Sequence, residues 1–304
     1  MDRSPRAARA RRAALELEPA GSVLRAGSRL RGVAVLSLPA AARVEGLTVT
    51  AAGRELVAAT PKYHPGLYRR PLPRPFGRTR SGSARTAYEV SAELLAGPAT
   101  LPAGRHYLPF ALDLPADAAP SYGGVTVVVE HELQAAARLA GGPRLAAWQP
   151  LHVWAGPDAD SSPGLAVTLL AAGPPRLELR LESDRLALGR PLRLRYAVGG
   201  AAGRRVKHLV LELVGVETSK HQLATDVHHF TAARRVLELA AAGGAGELAW
   251  VLPSGLAPSL ATPRFSLAWR LEATVTMPWR RGVSASAPLR LSDCGEGGQE
   301  QTET

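Results

Sequence analysis

One apolar and proline pattern occurs twice in this chain of 304 residues, 138 positions apart. The stretch LPFALDLPADAAPSY (108–122) and the stretch GELAWVLPSGLAPSL (246–260) share alternating apolar positions, a Leu-Pro step and a Pro-Ser step. The register continues without a gap into the following residues, so that Leu133 falls on Leu271. A pattern of this kind predicts one supersecondary unit built twice.

A second pair of blocks extends the repeat toward the N-terminus. Residues 24–49 align with residues 186–211 at an offset of 162, against 138 for the later blocks. The difference of 24 residues must be extra material in the first copy, between its two blocks. The basic, proline-rich segment 60–86 lies in that interval and is the candidate insertion.

Short alternating segments predict strands in both copies. In RFSLAWRLEATVT (264–276), apolar side chains occupy every second position, and glycine and proline interrupt such segments every 8–15 residues. QAAARLA (134–140) has helical propensity but continues a strand pattern. We therefore predict an all-β chain of two tandem antiparallel immunoglobulin-like sandwiches, 13–154 and 175–292, joined by a linker over 155–174. The apolar face of the clearest strand is expected in the core: Phe265, Leu267, Trp269, Leu271, Ala273 and Val275.

The positive charge lies outside the predicted sandwiches. The formal net charge is +11, of which residues 1–12 carry +4 and residues 60–86 carry +7, so the remaining charges cancel. The segment 1–12 is predicted as a disordered basic tail and 293–304 as a disordered acidic tail. Charge placed in appendages steers association with an acidic partner while leaving the cores undisturbed.

Three interpretations of the basic loop 60–86 remain open. It is a solvated insertion, a contact for an anionic membrane or an acidic protein, or a nucleic-acid contact in which Tyr63, Tyr68 and Phe76 stack on bases. We rank nucleic acid below the other ligands because the body shows neither a basic strand face nor a nucleic-acid motif. The candidate binding residues are Lys62, Arg69, Arg70, Arg74, Arg78, Arg80 and Arg85.

Two histidine-containing stretches are candidate metal sites. HELQA (131–135) lacks the second histidine of a zinc-protease motif, and its period-two pattern predicts a strand where that motif needs a helix. His131 also falls on Trp269 in the repeat, which favours a core histidine. HQLATDVHHF (221–230) offers His221, His228 and His229 as weak metal candidates in a solvated hairpin loop. No nucleotide-binding or nucleophile motif occurs, so we expect a protein that is not an enzyme and needs no cofactor.

Residues 101–139 resemble the N-domain signature of the arrestin-like superfamily. The matching positions are Gly104, His106, Pro109, Phe110, Leu114, Pro115, Pro120 and Ser121, and residues 173–198 resemble the opening of an arrestin C-domain. The superfamily includes bacterial sporulation-control proteins and, more distantly, a retromer subunit. The resemblance covers roughly residues 13–292, but the chain has no Pro-Pro-X-Tyr motif. It implies a non-catalytic scaffold that holds partners on concave sheet faces, loops or exposed edges.

The expected function is therefore an arrestin-like adaptor that binds protein partners, with an anionic membrane surface as a second contact of the basic loop. The alternative is a metal- or carbohydrate-binding module or an enzyme that uses the His221–His229 loop. A single cysteine, Cys294, no transmembrane segment and no signal peptide predict a cytoplasmic protein, peripheral where it meets a membrane.

Overall fold

A computed structural model describes residues 12–58, 82–154, 164–171, 174–199, 206–221, 224–240, 243–278 and 280–292. Every element of regular structure in these ranges is a β-strand, and nearly all the strand pairs are antiparallel. The predicted all-β fold of antiparallel sheets is confirmed, and its immunoglobulin-like topology stays a prediction. The described residues divide into two compact units.

Unit 1 comprises the described residues 12–56, 82–123 and 128–154. Its small sheet has the strand order β1-β3-β7, and its large sheet has the order β2-β10-β9-β4-β5, with β6 beside β4 and β8 beside β9. The strands are β1 (Ala14–Pro19), β2 (Val23–Arg25), β3 (Arg29–Leu38), β4 (Ala42–Ala58), β5 (Gly82–Leu95), β6 (Ala99–Leu101), β7 (Gly104–Asp113), β8 (Tyr122–Gly123), β9 (Val127–Leu139) and β10 (Arg144–Trp154).

Unit 2 comprises 57–58, 124–127 and the described residues from 164 onward. Its small sheet has the order β11-β12-β14-β17, and its large sheet has the order β13-β20-β19-β15-β16, with β18 beside β19. The strands are β11 (Val167–Ala171), β12 (Arg176–Leu181), β13 (Arg185–Ala187), β14 (Leu192–Gly199), β15 (His208–His221), β16 (Ala224–Glu238), β17 (Gly244–Trp250), β18 (Leu260–Ala261), β19 (Phe265–Met277) and β20 (Arg280–Ser292).

The two units share the order of eight strands, and the registers of these strands obey both sequence offsets. The order β1-β3-β7 returns as β12-β14-β17, and β2-β10-β9-β4-β5 returns as β13-β20-β19-β15-β16. The pair Leu30–Leu112 of unit 1 becomes Leu192–Trp250 in unit 2 when 162 and 138 are added. Even the one short parallel pair recurs, between β2 and β10 and between β13 and β20. The repeat therefore extends to hydrogen-bond register.

Apolar side chains that alternate along the strands form the cores. In unit 1 the buried cluster draws on both sheets, for example Leu36 of the small sheet and Leu47 and Leu133 of the large one. The predicted inward positions of β19 are all buried, as are Val127 and Val129 at the start of β9. The face assignments made from period-two alternation are thus confirmed.

The serine of each Pro-Ser step joins the loop before β8 or β18 to the last strand of its unit. Ser121 donates its N–H to the Val153 carbonyl (2.7 Å), and its Oγ accepts the Val153 N–H (2.9 Å). Ser259 makes the same pair of bonds with Leu291, at 2.7 Å and 3.0 Å. The motif recurs because one short side chain satisfies a backbone donor that would otherwise be unpaired.

Replacing Ser259 by alanine is expected to lower the free energy of unfolding by about 1 kcal/mol, because the Leu291 amide loses its acceptor. The measurement is a urea unfolding curve followed by circular dichroism. Ser254→Ala, at an exposed turn, is the matched control and should leave the curve unchanged. Equal curves for the two variants would contradict a structural role for the Pro-Ser step.

The structure differs from the sequence prediction at two segment boundaries. Strand β11 lies inside the segment 155–174 that was predicted as a linker, where Val167, Leu169 and Ala171 pair with β12. Strand β5 begins at Gly82, so the last residues of the predicted loop 60–86 belong to a strand. Both segments form strands because they pair with a neighbouring strand. Their local composition does not reveal which strand that neighbour is. The tail 293–304, residues 1–11 and residues 59–81 lie outside the described residues.

Candidate functional site

The predicted basic site falls mostly outside the described part of the chain. Lys62, Arg69, Arg70, Arg74, Arg78 and Arg80 are not among the described residues. Arg85 is described, and it is exposed near the beginning of β5, the edge strand of the large sheet in unit 1. The structure therefore places one of the seven predicted binding residues.

Two of the three candidate histidines, His228 and His229, lie in a strand and not in the predicted loop. His228 and His229 lie in β16, opposite Glu217 and Val216 of β15, so consecutive histidines point to opposite faces of the sheet. No glycine or proline occurs from Ala224 to Glu238, so no turn signal interrupts the alternation within β16. The prediction of a solvated hairpin loop at these two histidines was wrong for this reason.

The side chains of His228 and His229 have separate surroundings. The ring of His228 stacks near that of Phe230, with centroids 6.3 Å apart, whereas Nδ1 of His229 lies 3.4 Å from an Arg270 Nη. The side chain of His221 is outside the described part. Among the described residues, no group of three His, Cys, Asp or Glu side chains comes close enough to hold a metal ion.

His131 belongs to a polar trio inside unit 1. Its Nδ1 lies 2.9 Å from the Tyr88 hydroxyl, and its Nε2 lies 2.9 Å from the Ala119 carbonyl oxygen. These partners fit a neutral ring that donates from Nε2 and accepts the tyrosine proton at Nδ1. The side chain is only 4% exposed, so the prediction of a core histidine is confirmed.

Burial dominates the electrostatics of this trio. Desolvation lowers the pKa of His131 to about 4, with a further lowering from nearby His152, against the opposing effect of the Ala119 carbonyl. Desolvation also raises the pKa of Tyr88 to about 12. Both groups are therefore neutral at physiological pH, which suits a hydrogen-bonded core.

Unit 2 repeats the trio in apolar form. Trp269 replaces His131 and donates Nε1–H to the Ala257 carbonyl at 3.1 Å, while Phe230 replaces Tyr88 and meets the indole edge to face. A glycine on the neighbouring strand leaves space for the aromatic ring in both units. A Cβ at Gly53 would collide with Tyr88, and a Cβ at Gly215 would collide with Phe230.

The outward face of the large sheet of unit 1 carries a row of side chains that is unusual for a solvent face. Along β10 the alternating outward positions are Trp148, Pro150, His152 and Trp154. The two tryptophans are 43% and 42% exposed, and the His152 ring meets that of Trp154 edge to face with centroids 5.0 Å apart. Exposed indole rings of this kind are characteristic of binding surfaces.

A buried carboxylate holds one of these indoles in place. Glu132 of β9 is opposite Pro150, and although it is on the outward face it is only 5% exposed. It accepts a 2.6 Å hydrogen bond from Trp148 Nε1 and another of 2.6 Å from Gln134, and Arg54 forms a 2.7 Å ion pair with it. A charged group is expensive to bury without such partners. Here the hydrogen bond to the Glu132 carboxylate orients the Trp148 ring.

Glu130 places a second carboxylate on the same face, two positions along β9. Desolvation raises its pKa, and the charge of Glu132 raises it further, while Arg54 acts in the opposite direction. The neighbouring face of β4, β5 and β9 forms a polar depression of about 480 Å³, whose walls include Thr50, Glu89 and Gln134. The first unit thus presents a polar concave surface beside the aromatic row.

Sequence reasoning did not single out the β10 row, although its signal is visible in the sequence. WQPLHVW (148–154) has large aromatic or proline side chains at every second position, with Leu151 and Val153 between them facing the core. An alternating strand with an apolar inward face and aromatic residues on its outward face indicates that the outward face has a function beyond solvation.

A scan of protein-family models finds no match to this chain, and no curated protein matches it. In the part of the chain that the structure describes, no helix has the length and apolar character needed to cross a membrane.

Proposed function

We propose that the protein is a non-catalytic adaptor of the arrestin-like type, which binds a protein partner on the outward face of the large sheet of unit 1. The observation that carries this proposal is the Trp148 ring, which a buried Glu132 fixes on an exposed face. Rigid aromatic anchors in a partly polar surface supply most of the binding energy in protein interfaces. The repeated strand topology supports the arrestin-like part of the proposal.

The test is capture of partners from native cells with the wild-type protein and with Trp154→Ala, which removes an indole that is 42% exposed. The expected result is that the variant loses the proteins captured by the wild type. Tyr107→Ala is the matched control, because Tyr107 is also an exposed aromatic residue but lies on β7 of the small sheet. Capture that is equally reduced by the control, or unchanged by Trp154→Ala, would contradict binding at this face.

A second contact is proposed for the basic segment 60–86, which would attach the adaptor to an anionic membrane. Each basic residue close to an anionic membrane contributes roughly 1 kcal/mol, so the segment is expected to bind lipid measurably in low salt. Changing Arg69, Arg70, Arg74, Arg78 and Arg80 to serine should then reduce co-sedimentation with anionic vesicles by more than about tenfold at 0.1 M salt. Wild-type binding should disappear at about 1 M salt.

The matched control removes the same charge from exposed strand positions, by changing Arg29, Arg105, Arg138, Arg180 and Arg195 to serine. This control should retain vesicle binding if the position of the charge matters. A similar loss in both variants would instead indicate attraction by net charge alone, and equal binding by wild type and loop variant at 0.1 M salt would make the segment a passive insertion.

Carbohydrate binding is a second candidate function, because exposed indole rings beside carboxylate and amide side chains also suit sugar rings and hydroxyl groups. The β10 row would then be the platform, in place of the histidine stretch expected from sequence. A soluble oligosaccharide that binds the wild type and fails to bind Trp154→Ala would favour this candidate over the adaptor.

A further inference from the structure

The β10 row has the length of a short extended peptide. Outward side chains of a strand are about 6.6 Å apart, so Trp148 and Trp154 are separated by about 20 Å along β10. Pro150 and His152 fill the interval and keep the row apolar or aromatic throughout. An extended segment of about six residues would cover both indoles at once.

The charges beside this row favour a cation. Glu130 and Glu132 lie on one face of β9, and Glu132 is the carboxylate that pairs with Arg54 at 2.7 Å. Burial, and to a smaller extent the charge of Glu132, raise the pKa of Glu130, while Arg54 acts in the opposite direction. A ligand cation beside Glu130 would favour its charged form. Arg25, opposite Trp154 on β2, places a positive charge at the far rim of the row.

The guanidinium group of arginine fits this combination of rings and carboxylates. It stacks on an indole face and donates paired hydrogen bonds to a carboxylate, whereas a lysine ammonium offers only a point charge. Arg54 already pairs with Glu132, so Glu130 is the carboxylate that a ligand would meet. A neutral sugar could stack on the indoles but would bring no cation to Glu130, and an anionic ligand would be repelled by it.

We propose that the β10 row binds an extended segment of a partner protein that places an arginine between Trp148 and Trp154, against Glu130. This inference rests on the proposed adaptor function and names the chemistry of its partner. Glu132 acts as a positioning residue, since it orients the Trp148 ring, and Glu130 is the group that meets the arginine.

The experiment is isothermal titration of the full chain with a peptide of about eight glycine and proline residues around one arginine. The matched peptide carries citrulline, which has the shape of arginine without its charge. We expect the arginine peptide to bind at least about tenfold more tightly than the citrulline peptide. Glu130→Gln should abolish that difference, Trp154→Ala should weaken the binding of both peptides, and Tyr107→Ala should change neither.

Equal affinity of the wild type for both peptides, or no binding of either at about 1 mM, would overturn the inference. Tighter binding of a cello-oligosaccharide than of the arginine peptide would also overturn it. The adaptor proposal fails separately, when Trp154→Ala captures the same partners from cells as the wild type. If Trp154→Ala loses the partners and the wild type binds both peptides equally, the adaptor proposal stands and only the preference for arginine is contradicted.

Discussion

Replacing Trp269 by alanine is expected to lower the free energy of unfolding by about 3–5 kcal/mol, among the largest effects of any single substitution in this chain. The indole is only 3% exposed, and it meets the ring of Phe230 edge to face with centroids 5.6 Å apart. The substitution would remove that contact, leave a cavity and free the Ala257 carbonyl from the indole N–H. All three losses act in the same direction.

The measurement is urea unfolding of wild type and variant, followed by circular dichroism. If the two units unfold in separate transitions, only that of unit 2 should move to lower urea, since Trp269 lies in β19. Trp154→Ala is the matched control, because that indole is 42% exposed, and it should cost less than about 1 kcal/mol. A cost that small for Trp269→Ala would mean that the face assignment of β19 is inverted.

Acidification should destabilise the protein through His131. Its pKa is about 4 in the folded chain, where burial is the main cause, against about 6.5 when unfolded. Because the folded pKa is depressed, the unfolded chain binds the proton more readily. The stabilising contribution of the neutral ring is therefore complete above pH 6.5 and is lost as the pH falls toward 4. The difference between these two pKa values corresponds to a loss of about 3 kcal/mol in the free energy of unfolding.

Carboxylates also titrate in this pH range. The contribution of His131 is therefore measured as the difference in pH dependence between the wild type and a variant without this histidine. His131→Gln provides the comparison, because an amide can accept from Tyr88 and donate to Ala119 without carrying a charge. The double variant Tyr88→Phe/His131→Trp copies the ring pair of unit 2 and serves if the first variant unfolds. Unfolding curves at pH 7 and pH 4.5 should show a smaller loss of stability in either variant than in wild type. Equal losses of stability in the wild type and the variants would mean that groups other than His131 cause the acid destabilisation.

Sequence alone was sufficient for the repeat and for most of the strands. The offsets 162 and 138 recur in the paired residues of the sheets, and the inward side chains of β19 follow from alternation. These features are local or periodic, because a strand places every second side chain on one face whatever its neighbour is. The equivalence of His131 with Trp269 likewise anticipated a buried ring.

The candidate site followed only partly from sequence. The charge pattern directed attention to segment 60–86, of which only the end is described, and the histidines of β16 had suggested a loop. The buried Glu132 could not be anticipated, because its partners come from β4, β9 and β10. A charged residue in an alternating strand is ordinarily an exposed one.

Periodicity thus determined which face of each strand is apolar, and tertiary structure decided what lies beside each side chain. Tyr88 and His131 are 43 residues apart, and Trp148 is 16 residues from Glu132, so each contact depends on which strands are neighbours in the sheet. The formation of strand β11 and the burial of the Glu132 carboxylate beside Trp148 also depend on which strands are neighbours. Pairing and burial are properties of neighbouring strands, and the alternation of one strand does not encode its neighbours.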